Sequence, residues 1–151
     1  MRTPLILLAL AASGCAHREQ PDCASANVAS ALRTLPAILS LWDPPPAILE
    51  SGFVLCSPHE DRLLAASAAL GTEGYSSYIG TSRKGKCLRV ARTHEASAAV
   101  LEREVRTMCR IADSHRITYR HWQVEVGGKP VRLRGDRVTV DGKRVRQPQP
   151  N

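Results

Sequence analysis

The sequence predicts an α+β fold, and three observations predict it. Short apolar or alternating runs are bounded by turn residues. Two longer segments repeat apolar residues at helical spacing. Over residues 51–127 these succeed one another as strand, helix, strand, strand, helix, strand. Two helices on one face of a four-stranded antiparallel sheet make the ferredoxin-like βαββαβ sandwich. A C-terminal β-hairpin is expected to follow it.

Each element has its own warrant. Gly52-Phe53-Val54-Leu55-Cys56 is a short apolar run and reads as a buried strand. Ser57-Pro58-His59-Glu60 has the form of a capping box. Ser57 is the cap, Pro58 suits the first helical position, and Glu60 is spaced to reach back. The helix it opens carries Leu63, Leu64, Ala66, Ala68 and Leu70, and Gly71 and Gly74 offer its stop. Residues 75–81 read as a second strand, Ser82-Arg83-Lys84-Gly85 as a turn, and 86–92 as a third strand. In the helix expected over 95–113, Ala98, Leu101, Val105, Met108 and Ala112 recur at helical spacing. Residues 117–126 return as a fourth strand. The hairpin is read from 131–133, 137–140, the Asp141-Gly142 turn and 143–146. Upstream, residues 24–42 are rich in Ala and Leu and favour helix, with Pro36 expected to break or kink it. Asp43-Pro44-Pro45-Pro46 is a stiff linker. The compact domain is therefore expected to span 51–127, with 128–151 as a basic hairpin and tail.

The amino terminus sets the expected compartment. Arg2 precedes an apolar run over residues 5–12, which leads to Ser13-Gly14-Cys15. The run is too short to span a bilayer, which takes about 20 apolar residues. Ala12-Ser13-Gly14-Cys15 resembles the lipobox of bacterial lipoprotein signal peptides. The resemblance implies that residues 1–14 are removed and that Cys15 carries lipid. Residues 15–50 then form a lipidated tether with a helical segment, and the body faces an oxidising compartment. Ala16, in place of the Asp associated with inner-membrane retention, points to the cell envelope at the periplasmic side of the outer membrane.

Charge and cysteines narrow the function. The 151-residue chain carries a net charge of +7, most of it near the C-terminus. Lys129, Arg132, Arg134, Arg137, Lys143, Arg144 and Arg146 face only Asp136 and Asp141 in that stretch. These seven are candidate contacts to an anionic surface. Beyond Cys15, the even set Cys23, Cys56, Cys87 and Cys109 suggests two disulfides. In a ferredoxin-like sheet the first and third strands are antiparallel neighbours. The end of the first, at Cys56, then lies beside the start of the third, at Cys87. That pairing leaves Cys23 for Cys109, with the segment before the domain lying against the second helix.

Candidate chemistry is sparse. Residues 80–86 fit the G-x-x-x-x-G-K pattern, but Cys87 and a strand follow where a phosphate loop needs Ser or Thr and a helix. His59-Glu60-Asp61 lacks the second His of a helical zinc site. No Cys/His spacing suits a metal. His94, His115 and His121 have no carboxylate or cysteine framework around them in sequence. No catalytic residue, metal or cofactor is assigned, and nucleic acid is not expected as a partner.

The stretch 52–126 resembles the ribonuclease E inhibitor family of the regulator-B type. The matching residues are Gly52-Phe53-Val54, Leu63 to Leu70 with Gly74-Tyr75, Cys87-Leu88-Arg89-Val90, and Tyr119 with Trp122. Where that family often shows Tyr-Asp-Gly-Trp-Glu, this chain has Tyr119-Arg120-His121-Trp122-Gln123. The resemblance implies a ferredoxin-like fold. Its ribonuclease-regulating function would follow only if the signal were not processed, because that target is cytoplasmic. Gly74-Tyr75 and Leu88-Arg89-Val90 are also similar to SPOR domains, a resemblance that implies peptidoglycan binding in the envelope. The expectation is a non-catalytic, lipid-anchored envelope module that binds a protein or, alternatively, peptidoglycan.

Overall fold

In the computed structural model, residues 22–82, 85–126, 129–134, 137–140 and 143–145 are described. The fold is α+β. Its elements are α1 (Cys23–Leu39), β1 (Ile48–Cys56), α2 (Glu60–Thr72), β2 (Ser76–Ser82), β3 (Gly85–Glu95), α3 (Ala98–His115), β4 (Thr118–Val126), β5 (Lys129–Arg134), β6 (Arg137–Val140) and β7 (Lys143–Val145). The strands lie in the order β2-β3-β1-β4-β5-β6-β7, and each neighbouring pair is antiparallel. The expected Asp141-Gly142 turn lies outside the described residues, as do Arg83 and Lys84 of the turn expected over 82–85.

The helices pack against the sheet with α3 between the other two. It meets α1 on one side and α2 on the other, while α1 reaches β4 and α2 reaches β2 and β3. One cluster holds the core: Val28, Leu35 and Ile38 of α1, Phe53 and Leu55 of β1, Leu63 and Leu70 of α2, and Leu101, Val105 and Met108 of α3. Burying each such side chain contributes about 1.5–3 kcal/mol.

Several expectations need correction. The core does not begin at residue 51, because α1 contributes Val28, Ala31, Leu35 and Ile38 to it. Asp22 caps α1 by accepting the Ser25 N–H at 2.7 Å. Hydrogen bonds from the Ser25 side chain and backbone hold the Asp22 carboxyl below its usual range. Pro36 lies inside the helix rather than breaking it. It costs a single backbone donor near the last turn, while Leu35 and Ile38 on either side remain buried.

The capping box does not close at Ser57. The helix starts at Glu60, His59 is its cap, and Ser57 Oγ accepts the His59 N–H at 3.0 Å. The Glu60 carboxylate is engaged by Lys86 instead. β1 and β3 run longer than their apolar stretches, because Ser51 and His94 occupy buried positions that read as polar. The strand after residue 127 is not a separate appendage at its start, since β5 pairs with β4 and Val131 is fully buried in the common core.

β4 contains an irregularity that sets what faces inward. Val54 of β1 pairs with His121 but Leu55 pairs with Tyr119, which leaves Arg120 as the extra residue. Tyr119 and Trp122 are three residues apart, and strict alternation would put them on opposite faces. The bulge lets both join the core.

Candidate functional site

Two polar clusters lie buried between helices and sheet. The first joins three strands. The Trp122 indole N–H of β4 donates to Ser51 Oγ of β1 at 2.9 Å, and Ser51 Oγ stands 2.7 Å from Nε2 of His94 on β3. His94 Nδ1 is 2.7 Å from the Glu95 carbonyl oxygen. A carbonyl only accepts, so Nδ1 carries a proton, and in the neutral ring Nε2 accepts from the Ser51 hydroxyl. The chain therefore runs from Trp122 through Ser51 and His94 to Glu95, with each donor matched to an acceptor.

A serine oxygen at hydrogen-bond distance from a histidine nitrogen is also the geometry of an activated nucleophile. The surroundings here differ from those of an exposed nucleophile. Ser51 is 0% exposed and Trp122 occupies its oxygen. The histidine is oriented by a backbone carbonyl rather than by a carboxylate. The arrangement fastens β1, β3 and β4 together.

The second cluster surrounds Glu104, which α3 carries into the core at 1% exposure. Tyr75 Oη donates to Glu104 Oε2 at 2.5 Å. Arg103 approaches the other oxygen at 3.4 Å, and Arg92 Nε lies 3.8 Å from Oε2. The Arg92 guanidinium also stands over the Tyr75 ring, 4.4 Å from its centre. A buried carboxylate needs such partners, because desolvating an unpaired charge is very costly. Burial first, and then the facing Glu104, pushes the Tyr75 hydroxyl up to about 12. Burial also raises Tyr119 above the usual tyrosine range.

The cysteines fall into two pairs at disulfide distance. Cys56 and Cys87 are register partners on β1 and β3 with Cα atoms 4.1 Å apart, and Cys23 and Cys109 join α1 to α3 with Cα atoms 5.7 Å apart. These are the two pairings read from the sequence. Lys129, Arg132 and Arg134 lie on β5, Arg137 on β6, and Lys143 and Arg144 on β7. Register sets Arg132 opposite Thr139, Thr139 opposite Arg144, and Arg134 opposite Arg137. Cys15 and Arg146 lie outside the described residues.

Gly80 lies on β2, and Gly85 and Lys86 lie on β3, where a strand follows the pattern in place of a helix. His121 and His59 are exposed. Among the described residues no group of three or more His, Cys, Asp or Glu could hold a metal. No helix among them is long and apolar enough to cross a membrane.

Sequence reasoning missed Ser51, Tyr75, Arg92 and Glu104. Only Glu104 left a signal, as a charge on the apolar stripe of α3. Gln123 is a further buried polar residue. It is 6% exposed, lies against Gly52, and its Oε1 has no hydrogen-bond partner among the described residues. No protein-family model and no curated protein matches this chain.

Proposed function

We infer that this protein is a non-catalytic, lipid-anchored envelope module that binds a protein partner. Its βαββαβ part is read as a ferredoxin-like sandwich. The observation that carries the reading is the use of the cysteines. The four that follow Cys15 stand in two pairs at disulfide distance. Disulfides persist in oxidising compartments, and Cys15 sits at the lipobox position.

The sheet supports the fold assignment. Its first four strands run in the order β2-β3-β1-β4 with α2 and α3 as the connections. The sealed Ser51–His94 pair supports a binding role over catalysis. The basic residues of β5, β6 and β7 supply contacts to anionic headgroups or to an acidic partner surface.

The test is metabolic labelling with a palmitate analogue. Wild-type protein takes label, whereas Cys15→Ser accumulates unlabelled as an unprocessed precursor. A wild-type protein without label refutes the anchoring. Non-reducing peptide mapping of the exported protein should return Cys56–Cys87 and Cys23–Cys109, and four free thiols would refute the compartment. Saturable retention on purified peptidoglycan sacculi would replace the protein partner with peptidoglycan.

A further inference from the structure

β2 ends the strand order, so its outer edge has no strand partner among the described residues. Natural edge strands are usually shielded by charge, proline or brevity, because a bare edge templates pairing with another strand. The other end of the order, β7, is three residues long and holds Lys143 and Arg144. β2 has none of these protections. Its seven residues, Ser-Ser-Tyr-Ile-Gly-Thr-Ser, carry no charge and no proline.

Apolar surface lies on both sides of this edge. Three large apolar side chains are strongly exposed among the described residues: Ile48, Leu64 and Tyr78. Tyr78 belongs to β2 itself and is 64% exposed. Leu64 lies one turn before Ser67 on α2, and Ser67 Oγ is 2.8 Å from Ser77 Oγ of β2. Residues three apart share a helix face, so Leu64 stands in the helix layer above the same edge.

The strand also reads nearly the same in both directions. Antiparallel pairing of two copies about Ile79 sets Ile79 against itself. It places Tyr78 of one copy opposite Gly80 of the other, Ser77 opposite Thr81, and Ser76 opposite Ser82. These include a β-branched pair at Ile79, a hydroxyl pair at Ser77 and Thr81, and an aromatic covering a glycine. Within one chain the Tyr78 ring already passes 3.8 Å from where a Gly80 Cβ would stand. A two-fold axis through Ile79 closes the assembly at two chains.

We propose that β2 is the self-association edge of this protein, joining two copies into one continuous antiparallel sheet through pairing centred on Ile79. The inference stands apart from the lipid-anchoring reading, because it needs neither Cys15 nor a membrane. A single-strand contact falls below the size of standard stable interfaces. The dimer is therefore weak in solution, and confinement of both copies to one surface would strengthen it.

Sedimentation of the full chain carrying Cys15→Ser tests it, at concentrations up to about 0.5 mM so that a dissociation constant near 1 mM is detected. Two double variants on this background separate pairing from misfolding. Tyr78→Lys with Gly80→Lys sets like charges opposite each other across the axis. Tyr78→Lys with Gly80→Glu sets opposite charges there. The nearest atom to a Cβ at Gly80 is Arg89 Nε of the same chain at 3.6 Å, so side chains fit, and thermal melts of both variants report any effect of that charge on the fold.

The first double variant should weaken the dimer about tenfold or more relative to the second. A photo-crosslinking phenylalanine analogue at position 78 should join the copies within residues 76–82. A chain that stays monomeric throughout, equal weakening by both variants, or crosslinks to β7 would overturn the proposal.

Discussion

Tyr75 Oη donates to Glu104 Oε2 at 2.5 Å beneath α3, and among the described residues Glu104 is the only carboxylate held so deep in the core. Tyr75→Phe should cost about 1.5–3 kcal/mol at neutral pH, the usual range for a hydrogen bond to a charged group. The cost should depend on pH. The Tyr75 hydroxyl is raised from its ordinary 10.0 to about 12 in the folded protein. Its contribution is complete below the unfolded value and is lost as pH rises through the folded one. Urea melts of wild type and Tyr75→Phe should differ by a constant amount up to pH 10.0 and converge towards pH 12. A difference that stays flat across that window would show that the phenol proton is not what Glu104 uses.

Ser51→Ala should cost about 1–3 kcal/mol, because it leaves the Trp122 indole N–H and His94 Nε2 buried without a partner. Combined with His94→Phe it should be clearly less than additive, since both changes break one chain of hydrogen bonds. Denaturant melts of the two single variants and the double variant measure the coupling. A serine-directed fluorophosphonate should leave Ser51 unlabelled in the native protein, and rapid stoichiometric labelling there would restore the case for catalysis.

The two crosslinks should differ in worth. Cys23 and Cys109 are 86 residues apart, against 31 for Cys56 and Cys87. Loop-closure entropy assigns them about 4.6 and about 3.7 kcal/mol. Cys23→Ala with Cys109→Ala should therefore lower the urea midpoint more than Cys56→Ala with Cys87→Ala. The reverse order would mean that local cross-strand packing outweighs loop length.

Arg116 ends α3 with φ of +53°, the left-handed region, and the Ile117 N–H closes the cap on the Ala112 carbonyl at 2.9 Å. A side chain there costs about 1–2 kcal/mol, part of which glycine returns as chain entropy. Arg116→Gly should stabilise the fold by about 0.5–1 kcal/mol in thermal melts. Arg62 bonds the Arg116 backbone oxygen, a contact the substitution leaves in place. Destabilisation would show that the arginine side chain matters more than its backbone.

What the sequence could tell depended on how locally each feature is encoded. α3 was legible because Leu101, Val105, Met108 and Ala112 repeat within one segment. The Cys56–Cys87 pair was legible because strand order and alternation place both residues. The sequence sets α1 outside the compact domain, because Pro36 suggests a break or kink and the prolines after it a linker. What overrode them was burial of Leu35 and Ile38 against distant elements. The Arg120 bulge left no local mark, since nothing in Tyr119-Arg120-His121-Trp122 says which residue goes unpaired.

The Ser51–His94–Trp122 chain spans separations of 43 and 71 residues. No spacing rule reaches that far, so nothing local in the sequence links these three residues. Glu104 carries one local mark, a charge on the apolar stripe of α3, but nothing local says what it meets. Its partners Tyr75 and Arg92 come from other elements.

The bridge between Cys23 and Cys109 also decides how the molecule carries force. Cys23 is the first residue of α1, so a pull on the chain before residue 22 reaches a covalent link before it reaches any turn of that helix. The load passes directly to α3, which lies between α1 and α2. Unpeeling α1 from its end is then no longer the weakest route. Single-molecule stretching from the N-terminal side should show an early low-force step only after reduction. With the bridge closed, the helix most exposed to tension carries none of it, and the domain behaves as a hook fixed at its middle.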